Sequence, residues 1–158
     1  MINSSEMDWR LRGAQACLGS AQRDFPAGDY RATAQNAQLC IELSAKAVIA
    51  HFAEPIWDHD PSDQLLGIVR EHGDEIARRG GEEMKRGLIR LAEDARIAAP
   101  WYARSTYGQR AEDRSWISAL DLCTREVAED LLERAIRSFA TARKFFVKVC
   151  GGDAAPSS

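Results

Sequence analysis

Apolar residues across positions 27–52 recur by threes and fours: Tyr30, Ala34, Ala37, Ile41, Ala45, Val48 and Phe52. With about 3.6 residues per turn, that spacing puts them on one face of an α-helix. A second row, Leu39, Cys40, Leu43 and Ala47, widens the stripe, so this helix is expected to be buried on more than one side. Gln35, Gln38, Glu42 and Lys46 lie on or beside the stripe. Polar groups so placed must be satisfied by neighbours or be presented to a ligand.

The same periodicity predicts the other elements. A first helix over residues 6–23 turns Leu11, Ala14, Leu18, Ala21 and Phe25 inward, and Pro26-Ala27-Gly28 ends it. Asp29 is placed to cap the second helix, and the short connection makes the two an antiparallel hairpin. Residues 56–59 form a loop, and Asp60-Pro61-Ser62-Asp63 starts a short third helix over residues 62–72 buried by Leu65, Leu66 and Val69. Gly80-Gly81 interrupts the next segment. A fourth helix from Glu82 to Pro100 carries Met84, Leu88, Leu91, Ala95 and Ala98 inward, with acids and bases balanced on its solvated face. Residues 101–115 are irregular, with three aromatics and three arginines. A last helix over residues 113–148 is expected to bury Trp116, Leu120, Cys123, Val127, Leu131, Ala135, Phe139 and Phe146. Its acids precede its bases, as the helix dipole favours. No strand is expected. The fold class is all-α: an antiparallel up-and-down bundle of four main helices plus one short one, forming one domain over residues 1–150 with a disordered tail at 151–158.

Composition narrows the partners. A 158-residue chain that is 45% hydrophobic and 28% charged is that of a soluble globular domain. A net charge of −3 argues against coating nucleic acid by bulk electrostatics. No apolar run is long enough to span a membrane, and the first residues lack a signal-peptide pattern, so a cytoplasmic location is expected. Cys17, Cys40, Cys123 and Cys150 form no CxxC pair and are expected to be free thiols. His59 between Asp58 and Asp60 does not make a coordination set, and no nucleophile–base–orienter spacing marks a hydrolase. No metal or cofactor is expected.

The order of these pieces resembles the HEPN family of small helical domains. The resemblance covers roughly residues 12–146 and rests on five pieces in order. They are Phe25 running into Gly28-Asp29-Tyr30; the stretch AQNAQLCIELSAKAV with Glu42 and Lys46; His59-Asp60 followed by Leu65-Leu66; Arg104-Ser-Thr-Tyr107; and an alanine-rich closing helix. The family often has that arginine and tyrosine adjacent, whereas two residues separate them here. Ribonuclease members carry an arginine, four to six residues, then a histidine near the final helix. Here the histidines are His51, His59 and His72, none so preceded by arginine; Lys46 precedes His51 by that distance, but both lie on the second helix and not near the final one. The resemblance therefore implies the non-nuclease group: homodimers that bind a nucleotide or RNA, or dock on a minimal nucleotidyltransferase in toxin–antitoxin-like modules.

Arg104, Tyr107 and Arg110, with Arg114, are candidates to hold a nucleotide, because guanidinium forks match phosphate and a phenol ring stacks on a base. Lys46 and His59 are further candidates. The alternative reading is that the arginines pair with Glu112, Asp113 or surface acids, and Glu42–Lys46 has the order and spacing of an ordinary intrahelical pair. Two alternatives stand beside nucleotide binding: a ribonuclease with a non-standard site using His59 with Arg104 or Arg110, and a purely structural adaptor.

Overall fold

The protein was described from a computed structural model, which covers residues 4–151. The expected tail at 151–158 lies outside these residues except for Gly151. The fold is an all-α bundle: α1 (Ser4–Asp24), α2 (Tyr30–Phe52), α3 (Ser62–Ala98), α4 (Trp101–Tyr107), α5 (Ala119–Leu122) and α6 (Arg125–Phe145), the last widening into a π-helical turn at Phe146–Cys150. A two-stranded antiparallel ribbon, β1 (Gln109–Arg110) and β2 (Trp116–Ile117), follows α4.

The central helix is α2. Ala34, Ala37, Ile41, Ala45 and Val48 of the predicted stripe are buried, as are Cys40 and Ala47 of the second row. It packs against α1, α3, α4 and α6. Small residues let the neighbours approach closely, so the core is built from alanines with Ile49, Leu65, Leu88, Leu131 and Phe145 filling between them. Asp29 caps α2 as expected, its carboxylate accepting from the Ala32 amide at 3.0 Å.

Four expectations are corrected. The third helix does not stop at His72. It continues to the break at Gly81, where φ 81° and ψ 166° are accessible to glycine alone, and the second half of α3 runs on to Ala98. Buried Gly73 and Ile76 hold the extra turns in place against the charged exterior. The last helix starts at Arg125 rather than near Asp113, because Ser118 and Thr124 each cap a separate helix start. Trp116 and Leu120, expected inside, are 62% and 72% exposed, while Phe145, not Phe146, is fully buried. Finally, the irregular segment contains the β1–β2 ribbon where no strand was expected.

The balanced charges of α3 and α6 also conceal a buried carboxylate held by two arginines. Asp94 is 2% exposed and accepts from Arg134 Nη1 at 2.8 Å and from Arg137 Nε and Nη2 at 2.7 and 2.6 Å. These bonds join the second half of α3 to α6, a role beyond the dipole pattern. The bonds to Asp94 raise the Arg137 pKa above its ordinary value, and that of Arg134 is raised first by Asp130 and then by Asp94.

Candidate functional site

Three polar residues of α2, Gln38, Glu42 and Lys46, form one buried network. Glu42 accepts from Lys46 Nζ at 2.9 Å and from Gln38 Nε2 at 2.9 Å, both along the helix face. From the loop after α2, His59 Nδ1 approaches the same carboxylate at 3.1 and 3.3 Å. The side chains of Glu42 and Lys46 are 9% and 7% exposed, so this is a desolvated ion pair and not a surface one. The other side of the histidine ring is covered by α4: His59 and Tyr102 stack with ring centroids 3.5 Å apart and planes 17° apart. One carboxylate thus fixes both the middle of α2 and the loop that leads into α3.

The position of α4 follows from polar contacts with α2. Arg31 Nε and Gln35 Nε2 donate to the Ser105 carbonyl at 2.8 and 3.2 Å. The helix ends at Gly108, whose φ 82° and ψ −160° are glycine-only values. A Cβ there would lie 2.2 Å from the Ile117 carbonyl oxygen, so the turn into the ribbon requires glycine twice over. The ribbon tip is closed by Asp113, which accepts from the Ser115 amide and hydroxyl. Those bonds hold its carboxyl below the usual range. Arg114 there adopts φ 67°.

This segment displays aromatics and cations together. The Arg104 guanidinium lies 5.3 Å from the Trp101 ring, and Arg110 lies 5.3 Å from the Trp116 ring across the ribbon. Tyr107 is 73% exposed and Trp116 62%. A guanidinium stacked on an indole keeps its outward N–H groups for an anion while the ring restrains its plane.

The five predicted site residues therefore fall into two groups. Lys46, buried in α2, and His59, half-exposed in the loop after it, meet on Glu42. Arg104, Tyr107 and Arg110 belong to α4 and the ribbon. At about 100° per residue, Tyr102, Ser105 and Thr106 share the α4 face toward α2, and Arg104 and Tyr107 point to the far side. Trp101 and Trp116, which complete the arginine stacks, were not among the residues expected at the site. The signal for Trp101 was its i, i+3 spacing to Arg104. Trp116 was concealed by its fit to a helical stripe.

Other clusters carry no chemistry of this kind. Cys150 Sγ lies 3.4 Å from His51 Nδ1, but burial pushes that thiol up to about 12 and lowers the His51 pKa, so neither a thiolate nor an imidazolium is favoured. Burial likewise pushes Cys40 up to about 12. Among the described residues no group of three His, Cys, Asp or Glu side chains is arranged to hold a metal ion, and no helix is long and apolar enough to cross a membrane.

Residues 7–145 match the family model of the HEPN domain. No curated protein and no solved structure matches the chain.

Proposed function

The chain belongs to the HEPN domain family, and from that premise we propose that it acts by binding rather than catalysis, holding a nucleotide or a nucleic-acid end on the face formed by α4 and the ribbon. The observation that carries this reading is the pair of arginine–indole stacks beside exposed Tyr107. Exposed rings offer a stacking surface to a base, and the guanidiniums of Arg104 and Arg110 offer forks to its phosphate. Lys46 and His59 act beneath this face by fixing, through Glu42 and Tyr102, where α4 sits. A binding role also accords with the missing arginine–histidine ribonuclease motif.

The partners proposed are a second copy of this chain and, as in non-nuclease relatives of this family, a minimal nucleotidyltransferase in a toxin–antitoxin-like module in the cytoplasm. Self-association is supported by an apolar groove of about 500 Å³ along α6, lined by Ile136, Phe139, Ala140 and Val147 with Arg143 and Lys144 at its edge. Ile136 and Val147 are 44% and 60% exposed there. Calorimetric titration with a panel of nucleotides tests the binding role. Heat of binding is expected for the native protein, with affinity reduced about tenfold in Arg104→Ala through loss of a charge-assisted phosphate contact. Absence of heat with every nucleotide would leave protein docking as the function.

A further inference from the structure

Along the outer side of α6 and the turn that follows it, Glu129, Glu133, Ile136, Ala140, Arg143 and Val147 are all exposed. They succeed one another at steps of four, three, four, three and four residues, which keeps them in a single stripe. The last four line the apolar groove between α6 and Leu18 of α1. Nothing within one copy of the chain accounts for the stripe. The core contacts of α6 are made from another face, by Leu131, Ala135, Ala142 and Phe145. Its ion pairs use Asp130, Arg134 and Arg137, whereas Glu129, Glu133 and Arg143 make none among the described residues.

The stripe is complementary to itself when reversed. With a twofold axis level with residue 138, positions 129, 133 and 136 of one copy meet 147, 143 and 140 of the other, and each contact is repeated across the axis. Glu133 then faces Arg143, an acid against a base. Ile136 faces Ala140, and the small residue lets the two helices approach closely. Glu129 faces the turn that carries Val147 and Lys148. Alternating steps of three and four are those by which paired helices interlock. A parallel pairing would instead set Glu133 against Glu133 and Arg143 against Arg143. The acid-to-base order of α6, which also suits its dipole, thus selects the antiparallel arrangement.

We propose that α6 packs antiparallel against α6 of a second copy in this register, so that each copy covers the apolar groove of the other. The proposal rests on the self-association reading above and assigns its interface, residue against residue. It does not involve the arginine–indole face, which belongs to other elements.

Analytical ultracentrifugation of the full chain and two charge reversals tests it. The native protein is expected to be a dimer. Glu133→Arg sets two bases against each other at both symmetric contacts, and Arg143→Glu sets two acids there. Each variant alone is expected to dimerise at least about tenfold more weakly. Mixed in equal amounts, the two variants bring opposite charges together at both contacts, and a dimer containing one of each is expected to return. Carbodiimide coupling of the native dimer gives a reading that needs no variant: Glu129 is expected to link to Lys144 or Lys148. Along one helix these residues lie more than about 20 Å apart, so such a link joins two copies. A monomeric native protein overturns the proposal together with the self-association reading. A dimer that neither reversal weakens overturns the α6 pairing and leaves self-association standing. Weakening in both variants without recovery on mixing, or a dimer without the Glu129 link, overturns the register.

Discussion

Glu42→Leu is expected to lower the stability of the protein by about 3–5 kcal/mol, the usual cost of removing one partner from a buried ion pair. For a chain of this size that corresponds to a fall in Tm of roughly 10 °C. The reason lies in what the substitution leaves behind. The Lys46 ammonium, its side chain 7% exposed, donates to Glu42 and to no other carboxylate among the described residues, so it would remain charged in the core without a counter-ion. Gln38 Nε2 and His59 Nδ1 would lose their acceptor at the same time. Adding Lys46→Met to Glu42→Leu is expected to recover roughly half of the loss, since an apolar pair of similar volume tolerates the site better than a lone charge. Thermal and urea unfolding of the two variants checks this. A Glu42→Leu protein as stable as the native one would show that water reaches Lys46 and that the network does not organise α2.

Gly108→Ala is expected to have the largest effect on binding. The new Cβ meets the Ile117 carbonyl oxygen at 2.2 Å, and the backbone must also leave a conformation reserved for glycine. The ribbon would shift, separating Arg110 from Trp116, with a strain of about 1–3 kcal/mol and a loss of nucleotide affinity of about tenfold or more. Gly81→Ala is the matched control. Its φ is also positive, 81°, but nothing lies within 4 Å of the added Cβ and the position is at the kink of α3. It should cost similar strain and leave affinity unchanged. Calorimetry on both variants separates the local role of Gly108 from a general loss of stability. Equal binding by Gly108→Ala and the native protein would remove the ribbon from the site.

The contrast between these positions tracks how much of the molecule was legible in its sequence. Periodicity located α1 and α2 well, because both bury one continuous stripe and Asp29 and Gly28 mark the junction. It failed where a stripe could be drawn through residues that are not helical. Trp116, Leu120 and Cys123 fit the spacing of α6, yet Ser118 and Thr124 break the chain into a ribbon, a short helix and a later start. It also failed at His72, since the charges of residues 71–79 obscure the single buried positions Gly73 and Ile76. The Glu42–Lys46 pair was visible as a spacing, but spacing does not report burial. Nor did it reveal that His59, in a loop 17 residues away, closes on the same carboxylate. Asp94 illustrates the same limit: a charge among many on paired helices proves to be the one that joins them. The arginines after α4 were found as a composition and not as a geometry. Their stacking on Trp101 and Trp116 depends on the turn at Gly108, which pattern alone does not supply.

The central claim is that a nucleotide binds on the face carrying the two arginine–indole stacks. The chain has four tryptophans; Trp9 on α1, 63% exposed and itself 5.2 Å from the Arg10 guanidinium, and Trp57 in the loop before α3, 94% exposed, serve as internal controls. Titration of a nucleoside monophosphate followed through the indole N–H signals by NMR therefore tests the claim directly. The account predicts that the Trp101 and Trp116 signals shift together and saturably while those of Trp9 and Trp57 stay in place. Shifts confined to Trp9 or Trp57, or no shift at any of the four, would contradict it.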